Sequence, residues 1–201
     1  GQLGCGNTTS SNVPVAMADE SNVPITNVMQ IFAGYNGTLI INANGSLWGC
    51  GDNTSKKISN VSESKLLNVQ QVCDEDGSFL VDIRNAYIGG TRSTAVKNNG
   101  ELWTTKIMSN QISSPKRVFI VNAEKVSTGD KHSLALKSDG SVWAWGSNEK
   151  GQLGNNSLSD SSIPVQVLNS SGDGYLSDIV DIYAGTQFSL ALKSDGTVWA
   201  W

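Results

Sequence analysis

One stretch of this sequence returns. Residues Gly129–Gly154 read G-D-K-H-S-L-A-L-K-S-D-G-S-V-W-A-W-G-S-N-E-K-G-Q-L-G, and most of this recurs at Gly185–Trp201 as G-T-Q-F-S-L-A-L-K-S-D-G-T-V-W-A-W. Two more diverged copies precede them. Gly45, Gly100, Gly140 and Gly196 each stand 11 residues after another glycine (Gly34, Gly89, Gly129 and Gly185), at spacings of 55, 40 and 56 residues. A unit of about fifty residues is too small to bury its own core and must stack on its neighbours, so the chain reads as a repeat array.

Each unit centres on a β-hairpin. Leu134 and Leu136 fall on one strand face and Ala135 and Lys137 on the other, the period-2 alternation of a strand. Across the Asp139-Gly140 turn, Val142 and Ala144 alternate with Trp143 and Trp145. The same pattern places hairpins at Thr38–Ile41 with Leu47-Trp48 and at Thr94–Lys97 with Leu102-Trp103. Asn44-Gly45 predicts a two-residue turn, because both residues tolerate positive φ. Composition agrees: 16 % charged residues, 21 glycines and abundant Asn, Ser, Val and Trp describe many short strands rather than helices.

The expected organisation is one repeat domain over residues 1–201, with units at approximately 1–50, 51–104, 105–146 and 147–201, cut within the array at both ends. Gly1-Gln2-Leu3-Gly4 and Gly151-Gln152-Leu153-Gly154 open the first and fourth units. Lys56-Lys57-Ile58-Ser59 stands in that place in the second, and a short polar bridge, Lys106–Ser114, in the third.

These residues resemble the repeat of the regulator of chromosome condensation family. The Ala-Gly or Thr-Gly step, the His132–Gly146 hairpin and the G-Q-L-G loop carry the resemblance, which covers essentially the whole chain. It implies a β-propeller, seven-bladed in most members, with four-stranded blades around a central channel. The expected fold is therefore an all-β, propeller-type array of four blade-like units, either part of a seven-bladed propeller or completed by another chain. An incomplete array leaves a sheet edge and an apolar blade face uncovered, which favours self-association through the open edges.

The residues that bear chemistry read as structural. His132 is the only histidine, has no nucleophile motif beside it, and is expected to make a local hydrogen bond at a strand end. Gly37, Arg92 and Phe188 occupy its place in the other units. The six tryptophans recur at the repeat period and are expected to pack between blades. Asp139 and Asp195 sit in hairpin turns, where a carboxylate favours the turn, and Asn44 and Asn99 replace them elsewhere. Gly151–Gly154 lacks the Lys and Ser/Thr of a phosphate-binding loop. Cys5, Cys50 and Cys73 show neither a metal-ligand spacing nor a disulfide framework. No catalytic, cofactor-binding or metal residue is predicted, and no cofactor.

With a net charge of −4 and no basic run beyond two residues, no nucleic-acid footprint is present. Nothing approaches the roughly twenty apolar residues of a membrane helix. The function expected is a non-enzymatic protein–protein interaction module with a protein partner of unstated identity, carried by loops that differ between units: Asn7–Val23, Thr54–Gly77, Lys106–Lys116 and Asn155–Tyr175. The resemblance offers two alternatives, guanine-nucleotide exchange on a small GTPase and a secreted bacterial inhibitor-like or cell-surface binding protein. The regular hairpins look bacterial, and an extracellular or cell-surface setting is the expectation. Asn7-Thr8-Thr9, Asn60-Val61-Ser62 and Asn169-Ser170-Ser171 match the glycosylation triplet but carry little weight.

Overall fold

The structure is a computed structural model that describes residues 1–59, 62–74, 76–105 and 116–201. Asn60 and Val61 of the second glycosylation triplet, and residues 106–115 of the Lys106–Lys116 bridge, lie outside the described residues.

All regular structure among the described residues is β. Strands β1 (Val28–Gly34), β2 (Gly37–Asn42), β3 (Leu47–Asp52) and β4 (Lys65–Gln71) form the first antiparallel sheet in chain order. The second holds β5 (Ile83–Ile88), β6 (Ser93–Lys97), β7 (Leu102–Thr104) and β8 (Lys116–Val118). The third holds β9 (Ala123–Thr128), β10 (His132–Lys137), β11 (Val142–Gly146) and β12 (Ser161–Gln166). The fourth has three strands, β13 (Ile179–Ala184), β14 (Ser189–Lys193) and β15 (Val198–Ala200). These are the blades of a propeller, stacked so that the innermost strands β1, β5, β9 and β13 meet in succession.

The blades are out of phase with the sequence units. Each outer strand follows the G-Q-L-G position and then returns to the hairpin before it, as when Trp143 pairs with Gln166 and Ala144 with Val165. Thr54–Gly77 and Asn155–Tyr175 are therefore not free loops; they contain β4 and β12. Their polar, irregular composition hid them, because an edge strand half open to solvent needs no strict alternation.

The central turns also differ from expectation. Gly45, Gly100, Gly140 and Gly196 have φ between 77° and 86°, and each donates its N–H three residues back, to the carbonyls of Asn42, Lys97, Lys137 and Lys193 at 2.8–2.9 Å. Asn44 does not share the left-handed conformation, so the loop has three residues and ends in a glycine bulge. The Asx side chain has a different task. Asp139 Oδ1 accepts the Ser141 N–H at 3.0 Å and its hydroxyl at 2.5 Å, and Ser141 Oγ accepts the Trp143 indole N–H at 3.3 Å. Asn44–Ser46–Trp48 and Asp195–Thr197–Trp199 repeat the relay. Glu101 breaks it: Asn99 still accepts the Glu101 N–H at 2.9 Å, but without a hydroxyl the Trp103 indole nitrogen is left unpartnered.

Successive blades are strapped at both ends of the innermost strand. The residue before it, Asn27, Asp82, Asn122 or Asp178, lies at φ 56–62°, a region that Asn and Asp enter more readily than other non-glycine residues. This aims the next N–H at the preceding turn: Ile83 donates to Gly45 at 2.9 Å, Ala123 to Gly100 at 3.3 Å and Ile179 to Gly140 at 3.2 Å. At the other end, a Cβ on Gly34, Gly89 or Gly129 would collide with the backbone carbonyl of Ile88, Gly129 or Gly185 in the next blade. The core lies between these straps. Leu134, Leu136, Val142 and Ala144 pack against Ile179, Ile182 and Ala184, all buried, and the two earlier interfaces repeat the arrangement. Trp145 is fully buried, while the other five tryptophans are partly buried against the same clusters.

Candidate functional site

His132 heads β10 and is fully buried. Its Nε2 lies 3.0 Å from Ser189 Oγ on β14 of the next blade. The Ser189 hydroxyl in turn donates to the Gln152 carbonyl at 2.8 Å, so the imidazole donates from Nε2. The expected local bond is thus corrected to one that joins two blades, 57 residues apart in the chain. The reason is the hairpin's position: its start faces the following blade rather than its own loop. Burial, with the neighbouring Arg92 charge, lowers the His132 pKa from 6.5 to about 4.

A pH dependence follows from this shift. Between about pH 6.5 and 4 the unfolded chain binds a proton that the folded chain refuses, so stability rises with pH in that window. The contribution is fully present above about 6.5 and lost as pH falls to about 4, and it amounts to about 3 kcal/mol. Urea titrations at pH 7 and pH 4 are expected to differ by that much more in the wild type than in His132→Gln. Equal differences in the two proteins would show that His132 titrates normally.

Other candidates also sit in structural roles. The Asp139 and Asp195 carboxyls are held below the usual range by the hydroxyls of Ser141 and Thr197 in their own turns. The three cysteines are unpaired, and burial pushes the Cys50 thiol up to about 11, away from reactive thiolate chemistry. Among the described residues no three His, Cys, Asp or Glu side chains group as a metal site. Among the described residues no helix is long and apolar enough to cross a membrane.

The G-Q-L-G loops hold blades together through the carbonyl of their second residue. Gln2 accepts the Thr38 hydroxyl at 3.0 Å, Gln152 accepts Ser189 as above and the Trp201 indole N–H at 2.9 Å, and Lys57 accepts Ser93. A buried asparagine clasps the loop from beneath. Asn148 donates to Asn155 Oδ1 and to the Ser157 and Ser159 carbonyls at 2.8–3.1 Å, and accepts the Leu153 N–H at 2.9 Å. Asn53 clasps Ile58–Ser59 in the same way. Sequence reasoning missed both. Their signal was an asparagine two residues past the glycine that ends the hairpin, at Gly51-Asp52-Asn53 and Gly146-Ser147-Asn148.

A surface feature was missed as well. The turns after Gly34, Gly89, Gly129 and Gly185 converge around the propeller axis on a cleft of about 180 Å³. Its wall carries Tyr35, Tyr87 and Tyr183, with Asp130 and Thr186 between them. Tyr35 is 73 % exposed and Tyr183 51 %. Tyr35 also lies at φ 36°, in the left-handed region that costs a non-glycine residue about 1 kcal/mol. A ring held out to solvent at that cost is a candidate recognition element. Aromatic residues beside the repeat glycines were the available signal.

Comparison with known proteins agrees with this architecture. The regulator of chromosome condensation (RCC1) repeat matches residues 139–192, and a second description of the same repeat matches 28–56 and 123–152. No curated protein matches in sequence. Among solved structures, human WBSCR16 is similar with a TM-score of 0.77 at 21 % identity, over 96 % of this chain and 50 % of that one. Prp20p of Saccharomyces cerevisiae, described for its binding to Gsp1p and histones, has a TM-score of 0.69 at 18 % identity, over 97 % and 51 %. The complex of Kap60 with yeast RCC1 (Prp20) gives 0.68 at 19 % identity, over 87 % and 43 %. The chain spans about half the length of these structures. The chain thus carries repeats of the regulator of chromosome condensation (RCC1) family at residues 28–56 and 123–192, within its four-sheet blade architecture.

Proposed function

We propose that this chain is a non-enzymatic protein-binding module whose partner docks over the axial cleft on Tyr35, Tyr87 and Tyr183. The observation that carries this reading is the exposed aromatic rim. Tyrosine gives large contact area at low entropic cost, and aromatic side chains are enriched where proteins meet. The nearby Asp130 and Thr186 supply polar contacts at the edge. Similarity to Prp20p, described with two kinds of protein partner, supports a protein as the ligand class. Nucleotide exchange on a small GTPase is the second reading, and the same similarity favours it.

Affinity capture from cells of the source organism tests the first reading, with wild type and a Tyr35→Ala/Tyr183→Ala double variant side by side. One stoichiometric partner retained by the wild type and lost by the variant is expected. A partner that binds both equally would move the site off the cleft. Accelerated release of labelled GDP from a captured GTPase would select the exchange reading instead.

A further inference from the structure

The head of the third blade differs from the others in what meets two facing side chains. In the first blade Thr38 and Cys50 oppose each other across the hairpin, and both reach the Gln2 carbonyl, at 3.0 and 3.6 Å. In the fourth, Ser189 and Trp201 converge on the Gln152 carbonyl at 2.8 and 2.9 Å. The second sends Ser93 to the Lys57 carbonyl. The third pairs Ser133 with Trp145 in the same register, so the same hairpin geometry aims Ser133 Oγ and Trp145 Nε1 at one point. Both atoms are buried, and neither has a partner.

A buried cation stands beside them. Arg92 holds the place in the second hairpin that His132 holds in the third: their carbonyls accept the N–H of Gly89 at 2.8 Å and of Gly129 at 3.0 Å. His132 reaches Ser189 of the following blade. Arg92 likewise extends into the third blade, where a Cβ on Gly146 would stand 2.5 Å from its Nη1. Gly146 follows Trp145 in the chain and pairs with His132 across the hairpin. Arg92 is 2 % exposed, and its Nε and Nη1 are unpartnered. Burial lowers its pKa from 12.5 to about 10 against the pull of Asp130 and Asp160, so the charge persists at neutral pH. Asp160 Oδ1 is taken up by the Asn148 N–H at 2.8 Å, and among the described residues no carboxylate forms an ion pair with Arg92. Arg92, Ser133 and Trp145 together present guanidinium, hydroxyl and indole donors.

We propose that this joint binds a small monovalent anion of chloride size, held by the Ser133 hydroxyl and the Trp145 indole N–H and neutralised by Arg92. Size follows from the neighbouring heads, where a single carbonyl oxygen of Gln2 or Gln152 receives the equivalent pair. That is room for one atom rather than for a phosphate. Charge follows from Arg92. A water molecule could accept the hydroxyl and indole protons, but it leaves a buried guanidinium uncompensated, which is costly until the charge is paired. The selectivity is local, because the chain carries a net charge of −4 and draws no anion by its overall field. Both flanking blades have all four strands, so the site is interior to the array and independent of the axial cleft. A backbone carbonyl fastens the heads of the first, second and fourth blades; the anion fastens the third to the second.

Thermal denaturation tests it, in sodium fluoride replaced stepwise by sodium chloride at constant ionic strength, which leaves screening unchanged. A ligand that binds only the folded state raises stability with the logarithm of its concentration. Tm is therefore expected to climb by about 3–6 °C for each tenfold rise in chloride above its dissociation constant. Bromide is expected to act in the same way. Arg92→Met removes the charge at nearly the same length, and an apolar chain in place of a buried unpaired ion keeps the fold. Its Tm is expected to be indifferent to the replacement. Ser133→Ala gives a second reading that does not depend on that variant. It is expected to need about fivefold more chloride for the same gain, the loss of one neutral hydrogen bond. A chloride gain retained in full by either variant places the ion elsewhere, and no gain in the wild type leaves water at the joint. Either result overturns the proposal.

Discussion

Gly129→Ala is expected to destabilise the protein by at least about 4 kcal/mol, an unusually large effect for a single methyl group. The backbone angle is not the cause, since Gly129 does not have positive φ. Elsewhere Gly→Ala at such a site gains a few tenths of a kcal/mol to about 1 kcal/mol by restricting the unfolded chain. The cost is collision. The new Cβ meets the carbonyl oxygen of Gly185 in the next blade, and also the His132 ring, at 2.7 Å from Cε1. Both neighbours are fixed: Gly185 by its N–H bond to the Phe188 carbonyl (2.9 Å) and His132 by Ser189. Separating the blades to make room would strip contacts from the Leu134–Ile179 core cluster. Gly185→Ala is the matched control, because the atoms nearest its Cβ belong to the half-exposed Phe188 ring rather than to a backbone carbonyl, and that ring can rotate away. Urea denaturation is expected to show less than about 1 kcal/mol of change there. Equal effects at the two glycines would remove the inter-blade carbonyl as the explanation.

Asn148→Ala is expected to cost about 4 kcal/mol. The fully buried side chain accepts one N–H and shares its two amide hydrogens among three oxygens of the 147–160 loop, about 3 kcal/mol for the three bonded protons, with the rest from the stranded Leu153 N–H. Alanine leaves the N–H of the buried Leu153 without an acceptor and opens a small polar void. The loop carries the Gln152 carbonyl that receives Ser189 and Trp201, so loss of the clasp spreads to the next blade. Asn148→Asp is nearly isosteric and discriminates between shape and hydrogen bonding. It keeps the acceptor for Leu153 but turns the donor toward three oxygens into a fourth oxygen, so it is expected to be no better than alanine. Hydrogen exchange gives the local reading: Leu153 and Gly154 are expected to lose protection before β10 and β11. An aspartate variant of wild-type stability would show that volume alone matters at this position.

Much of this architecture was legible in the sequence because its determinants are local. Alternation across Leu134–Lys137 sets two strand faces, and Gly140 supplies the left-handed residue the turn needs. Recurrence of both at one period identified the array and the family. The role of Asp139 as a turn residue rather than an acid was legible for the same reason, since Ser141 lies two residues away. The candidate site was hardly legible. Tyr35 and Tyr183 are separated by most of the chain, and only stacking of four blades brings their turns around one cleft.

The sequence by itself determined the hairpins, their turn glycines and the stacking of about four units, because each rests on residues within one turn or strand of each other. Tertiary structure decided which blade owns each outer strand, that His132 belongs to the joint between blades, and that Asn27, Asp82, Asn122 and Asp178 take the left-handed conformation. Those outcomes depend on carbonyls and faces some twenty to sixty residues away in the chain, which no local pattern of alternation or turn chemistry encodes.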